Sequence, residues 1–269
     1  MVKIVIDAGH GFNTPGKRSP DDEREWTFNN KVAQYAIAKL ETYKDVEILR
    51  VDDPSGKTDV PLNTRTNRAN KWKADVYASI HHNALTGKWG KHSGIETYTM
   101  DKPKANPKSI EIAGAVHPRI VVAMGVSDRG MKRANFHVLR ESAMPAILTE
   151  GGFMDSTIDI LKLRDNHYLK SQGEAIAEGL AEYFKLEPKT IPEDNQTQTP
   201  AEGEENLYKP TSQAIVNSTI AVLQQLENMG EGPISPLWRE KLLNGTLTDS
   251  DAIGLLYVAI DRGLLKDVT

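Results

Sequence analysis

Four side chains in this sequence have the types and placement to do chemistry together: His10, Glu25, His81 and Glu150. His10 stands between two glycines at the end of the apolar run Val2 to Ile6, where the backbone can approach a ligand closely. His81 ends a second apolar run, Asp75 to Ile80, and Glu150 ends a third, Pro145 to Thr149. Zinc in hydrolases is typically held by three protein ligands drawn from His and Asp/Glu, which leaves a fourth position for water. Two imidazoles and one carboxylate make such a shell, and a second carboxylate outside it can act as base. Each residue alone also has a bland reading: His10 as a satisfied histidine in a Gly-rich turn, Glu25 as a favourable partner for a helix dipole. The four are scattered along the chain, so their spacing is suggestive where a single-helix His-Glu-x-x-His motif would be diagnostic.

The elements that must position these groups follow from periodicity. Val2 to Ile6, Val46 to Val51, Asp75 to Ile80 and Pro145 to Thr149 read as core strands, and Gly94 to Thr99 alternates like a strand with one wet face. Phe136 to Leu139 is expected as a further short strand. Apolar residues at helical spacing predict helices over Glu25 to Tyr43, Leu62 to Trp72, Pro107 to Met124 with Pro118 as a kink, and Asp165 to Leu186. The loop Phe12 to Arg24 is polar and turn-rich. Strands alternating with helices predict an α/β fold, a mostly parallel twisted sheet flanked by helices, in which the strand ends line one sheet edge. Glu174, Glu178 and Glu182, four apart, read as a solvated helix face.

Beyond residue 186 the character changes. Residues 187–206 hold Pro188, Pro192 and Pro200 among acidic and amide residues with almost nothing apolar, which reads as a linker. Residues 207–269 are expected as a small all-α domain of helices over Thr211 to Met229, Pro236 to Leu243 and Thr248 to Leu265, with Thr248 and Asp251 resembling a capping box. Up to residue 186 there are 27 Lys+Arg against 24 Asp+Glu, a charge of +3; the remainder carries −7 of the total −4. That acidic tail argues against a nucleic-acid partner. The chain of 269 residues has no cysteine, so disulfides and Cys-type zinc sites are excluded and any metal falls to His, Asp or Glu. No apolar run approaches the roughly 20 residues of a membrane helix, and no signal peptide is visible at the N-terminus.

The residues around these positions are similar to the zinc-dependent N-acetylmuramoyl-L-alanine amidases of the Amidase_3 type. The likeness lies in Ile6-Asp7-Ala8-Gly9-His10-Gly11, in Glu25 with Asn29, in Leu62-x-x-Arg65 with Ala69-Asn70, in Ser79-Ile80-His81-His82-Asn83-Ala84, and in Pro145-Ala146-Ile147-Leu148-Thr149-Glu150-Gly151-Gly152-Phe153. These motifs come in the family's order and span residues 1–186. The resemblance implies His10, Glu25 and His81 as zinc ligands and Glu150 as the catalytic carboxylate. His82 falls where the family varies, as a substrate contact or a neighbour of the ligands. Glu23 rivals Glu25, but only Glu25 keeps the spacing to Asn29. Arg65 is expected to pair with an acidic neighbour beneath the site, and His92, His117, His137 and His167 as surface or core histidines. The loop Phe12 to Arg18 departs from the family's glycine-richer pattern.

The implied activity is a peptidoglycan hydrolase that cleaves the amide between N-acetylmuramic acid and the L-alanine of the stem peptide. Competing readings are a zinc peptidase or deacetylase on a soluble substrate, and a non-catalytic wall-binding protein. Without a signal peptide, an endolysin or mother-cell lytic enzyme is expected, made in the cytoplasm and reaching the wall after release. The C-terminal module is expected to bind the cell wall, with homodimerisation through its helices as the alternative.

Overall fold

The computed structural model describes residues 1–101, 105–189, 213–227, 237–244, 246–248, 251–252, 255 and 258–259. They divide into two compact units, Met1–Thr190 and Ile191–Thr269.

In the first unit, β1 (Val2–Ala8) is the strand the site grows from, and its Ile4, Val5 and Ile6 are fully buried. It pairs in parallel with β2 (Val46–Arg50) and with β3 (Val76–Asn83). β3 pairs in parallel with β6 (Ala146–Phe153), which is antiparallel to β4 (Ile95–Met100); β4 is parallel to β5 (Asp128–Ala134). The order is β2-β1-β3-β6-β4-β5, a mixed, mostly parallel sheet. Runs such as Val-Lys-Ile-Val-Ile suit strands covered on both faces, as parallel sheets are.

One face is covered by α1 (Glu25–Leu40), α3 (Pro107–Met124) and α6 (Asn166–Phe184). There Ile6, Ile80 and Ile147 of the sheet share an apolar cluster with Val32, Val116, Ile120, Ile176 and Leu180. Each fully buried side chain of this kind contributes roughly 1.5–3 kcal/mol, so this cluster anchors α1 and with it Glu25. The other face carries α2 (Leu62–Trp72) and α4 (His137–Glu141), where Ala69, Val138 and Leu139 pack with Val5, Tyr77 and Leu148. Asn106 caps α3 by accepting from the Lys108 amide, with Pro107 in the first turn, and the helix continues through Pro118 to Gly125, whose φ of 55° ends it. A short α5 (Asp159–Leu163) precedes α6.

The expected strand over Phe136 to Leu139 is corrected: Phe136 is the N-cap of α4. A four-residue apolar run carries no period long enough to separate strand from helix. The strand that does lie nearby, β5, is polar throughout apart from Met131 and Ala134, because it is an edge strand guarded by charge. Glu187 to Lys189, expected as the start of the linker, are bonded to the first unit: the Lys44 amide donates to Glu187 and the Lys189 amide to Thr42, both at 2.8 Å. Residues 190–206 of the expected linker lie outside the described residues. Glu174, Glu178 and Glu182 are ion-paired with Lys170, Lys39 and Arg119 on the surface.

In the second unit, α7 (Gln213–Glu227) and α8 (Leu237–Leu243) contribute Leu223 and Leu242 to a small cluster with Leu247, Trp238 and Ala252. Thr248 and Asp251 form a reciprocal capping box: the Thr248 amide donates to Asp251 at 3.3 Å and the Asp251 amide to the Thr248 hydroxyl at 3.1 Å. The helix expected over Thr248 to Leu265 lies largely outside the described residues. Among the described residues no helix is long and apolar enough to cross a membrane.

Candidate active site

His10 enters the site in the left-handed region, with φ of 66°, a conformation that costs a non-glycine residue energy unless its surroundings hold it. Arg65 does the holding. Its guanidinium, 1% exposed, donates to the carbonyls of Val60, Ala8 and His10 at 2.8 Å each, to Asp7 at 2.7 Å and to Asp59 at 3.0 Å. Asp7, equally buried, takes further bonds from the Tyr77 hydroxyl at 2.9 Å and the Ser79 hydroxyl at 3.0 Å. The acidic neighbour expected for Arg65 is therefore Asp7, directly beneath His10. Gly9 is required by proximity: a Cβ there would lie 2.1 Å from the His81 ring.

Glu25 begins α1, buried, and bridges the two imidazoles. Its Oε2 is 3.2 Å from His10 Nε2 and its Oε1 is 2.9 Å from His81 Nδ1. Burial works to raise its pKa, but the bonds to His10 and His81 outweigh it and hold the carboxyl well below the ordinary value. Asn29, one turn later, donates to Glu25 Oε1 at 3.3 Å and to the Gly9 carbonyl at 3.1 Å. His82, on the opposite face of β3 from His81, meets Asn29 Oδ1 at 2.7 Å and Gln172 Oε1 at 3.2 Å. It is 1% exposed, and burial pushes its pKa down to about 4. His82 thus braces Asn29 and has no surface to offer a substrate. The rival Glu23 is turned to Arg164, at 2.8 Å, and Ser19.

One ligand atom from each of His10, Glu25 and His81 lies within 4.8 Å of the others. A tetrahedral zinc shell with bonds of about 2 Å spaces its ligand atoms roughly 3.3 Å apart, so small side-chain rotations close this set around an ion. Two imidazoles and an ionised carboxylate are also the donor chemistry that zinc takes. Glu150 stands beside them, its Cα paired with that of His81 in the β3–β6 register. Its Oε2 is buried without a hydrogen-bond partner among the described residues. Burial raises its pKa to about 8, with Glu25 and Glu96 adding to the shift and His81 opposing it.

A cleft of about 540 Å³ opens from these groups past Lys17, Leu62, Asn83, Phe136 and His137. His137 therefore lines the cleft, whereas His117 bonds Thr97 and Asp128. His92 bonds Asp155, a buried carboxylate that also takes the backbone N–H groups of Leu85, Thr86 and Gly87 in the loop after β3. His167 lies in the first turn of α6. Sequence reasoning passed over Glu96, which is 2% exposed and faces Glu150 across the β4–β6 pair. The available signal was the single carboxylate within the alternating stretch Gly94 to Thr99.

The Amidase_3 family model, described as N-acetylmuramoyl-L-alanine amidase, matches residues 4–182. A sporulation-specific N-acetylmuramoyl-L-alanine amidase of Bacillus subtilis (strain 168) is 40% identical over 189 residues, which cover 69% of each chain. The endolysin of Bacillus phage SPP1 is 33% identical over 196 residues, covering 71% of this chain and 69% of the relative. Among solved structures, the N-acetylmuramoyl-L-alanine amidase from Clostridium difficile 630 superposes with a TM-score of 0.63 at 35% identity, covering 68% of this chain and 97% of that one. With the family model spanning most of the first unit and these relatives aligned over the same region, the chain belongs to the Amidase_3 family of N-acetylmuramoyl-L-alanine amidases.

Proposed function

We propose that this peptidoglycan amidase is zinc-dependent, with His10, Glu25 and His81 as metal ligands and Glu150 as the acid–base group, and that it cleaves the amide between N-acetylmuramic acid and the L-alanine of the stem peptide. The observation that carries the reading is Glu150: a half-buried residue whose Oε2 is sealed without a hydrogen-bond partner among the described residues, in register with His81 and open to the same cleft. When bound, zinc supplies Lewis acidity and lowers the pKa of a water. Glu150 then accepts a proton from the attacking water and delivers it to the alanine nitrogen as the C–N bond breaks. Burial, which raises the Glu150 pKa, brings the carboxyl toward the range of a group that must both take and return a proton, and a bound cation would work in the opposite direction. Asn29 and His82 hold Glu25 in place, while Arg65 holds the backbone of His10.

Glu150→Gln tests the assignment. Turnover on purified peptidoglycan should fall by about 10²- to 10⁴-fold, with zinc content by metal analysis unchanged. Near-wild-type lysis by that variant would sink it. Chelation should abolish wild-type activity, and added zinc should restore it.

The likeness to a phage endolysin and to a sporulation amidase supports a lytic enzyme that meets the wall after release from the cell. For residues 207–269 we favour wall attachment, because a tethered binding module raises the effective concentration of a hydrolase on an insoluble polymer. Co-sedimentation of the full chain with purified walls, against a chain truncated after residue 189, tests this. Equal binding by both would remove the assignment, and a concentration-dependent dimer mass lost on truncation would replace it with dimerisation.

A further inference from the structure

Glu150 is the middle of a row. On one side it pairs with His81 across β3 and β6, and on the other with Glu96 across β6 and β4. Residues paired in this way project from the same face of a sheet, so an expected metal ligand, the acid–base group and Glu96 stand side by side. Glu96 in turn receives Arg129 Nε and Lys132 Nζ of β5, each at 2.6 Å, with the Tyr98 hydroxyl at 2.5 Å and Asn83 at 3.3 Å. Burial works against its charge, but Lys132, Tyr98 and Arg129 hold its pKa below the ordinary carboxylate value. Glu96 thus gathers two cations, and Arg129 also lies 4.9 Å from the Phe153 ring centroid. The two cationic side chains are 35% and 37% exposed, and among the described residues neither has a second hydrogen bond.

The direction of proton transfer says what lies over this end of the row. The group that protonates the leaving nitrogen must be within hydrogen-bond reach of it. The departing nitrogen therefore lies against Glu150, from which β4 and β5 are the next strands of the sheet. Arg129 and Lys132 meet at the Glu96 carboxylate, about one strand spacing (~5 Å) beyond Glu150. In a stem peptide whose second residue is glutamate joined through its γ-carboxyl, the free α-carboxylate is roughly 6–7 Å from the scissile nitrogen. Charge and distance agree.

We propose that Arg129 and Lys132, held in place by Glu96, form a peptide-side subsite that binds the free carboxylate of the residue following L-alanine in the departing stem peptide. This rests on the amidase reading with Glu150 as acid. Arg129 and Lys132 are specificity-determining residues, and Glu96 is the positioning residue that holds their ends together, joined to the cleft-lining Asn83 at 3.3 Å.

The test uses the full-length zinc-loaded protein and two substrates, N-acetylmuramoyl-L-alanyl-γ-D-glutamate and the same compound with the α-carboxylate converted to the carboxamide. The wild type should show a KM about tenfold lower for the acid than for the amide, the size expected of one charge-assisted hydrogen bond. Lys132→Gln and Arg129→Gln should each shrink that ratio toward one. Lys132→Arg should keep it, which separates loss of charge from loss of fold. Equal KM values for acid and amide in the wild type overturn the subsite and leave the amidase standing, as does a ratio retained by both Gln variants. Cleavage of neither compound by a zinc-loaded protein overturns both readings.

Discussion

Two buried charges flank the candidate site and hold its loops by opposite means. Arg65, beneath His10, spends its donors on three carbonyls and two carboxylates, one of them the buried Asp7. Asp155, 0% exposed, gathers the amides of Leu85, Thr86 and Gly87 and the His92 ring. The first is an ion pair in the interior, and the second is an anion neutralised by dipoles and one imidazole. In the interior a charge removed from a pair leaves its partner uncompensated, whereas dipoles left without their anion lose hydrogen bonds but strand no charge. The loop carrying His10 thus depends on a single side chain much more steeply than the loop that follows β3.

The comparison breaks most visibly at Arg65. Arg65→Met should cost about 3–5 kcal/mol of stability in urea unfolding, because Asp7 is left buried without its cation. It should also release the left-handed His10 and with it the metal, read as a higher zinc dissociation constant. A loss no larger than that of the Asp155 variant would erase the distinction drawn here. Asp155→Asn should cost about 1–2 kcal/mol at neutral pH.

Acid tests the Asp155 cluster on its own. Burial opposes the charge on Asp155, but His92 and the backbone amides outweigh it and hold its pKa below the ordinary aspartate value. A carboxyl with a depressed folded-state pKa stabilises fully above its unfolded value, and that stability is lost as pH falls through the folded value. The wild type should therefore keep its full advantage over Asp155→Asn above about pH 4 and lose it progressively in stronger acid. The Arg65 guanidinium stays ionised throughout; burial works against its charge and Asp7 more than offsets this. Persistence of the Asp155 advantage at pH 2 would contradict the assignment.

The smallest effect is expected at Asp59, which also bonds Arg65 but is 45% exposed. Asp59→Asn should change stability by less than about 1 kcal/mol, as exposed ion pairs do. A larger loss would mean that the outer carboxylate, and not Asp7, carries the pair.

Most of the fold was legible where apolar periodicity is strong. The residue ranges of α2 and α3 coincide with their spacing patterns, and α1 starts at Glu25 as its first-turn carboxylate suggested. The exceptions share a cause. β5 sits at a sheet edge where charged residues replace the apolar signal, and α4 is too short for its period to show. His10, Glu25 and His81, which the motifs named, lie within reach of one another in the structure. The role of His82 did not follow from its position, because adjacent strand residues face opposite sides of the sheet and only packing decides which side is wet.

By itself the sequence determined the strand that leads into His10, the strands that carry His81 and Glu150 (each running on past its apolar run, to Asn83 and Phe153), the helix that begins with Glu25, and the restriction of metal binding to His and carboxylate ligands. Those are properties of local pattern and composition, which each segment carries alone. Only the tertiary structure decided that Glu96, Arg129 and Lys132 continue the row from Glu150, that Asp7 is the partner of Arg65, and that His82 is sealed beneath Glu25. Each of these depends on strand order and register, which are set by long-range packing that no single segment encodes.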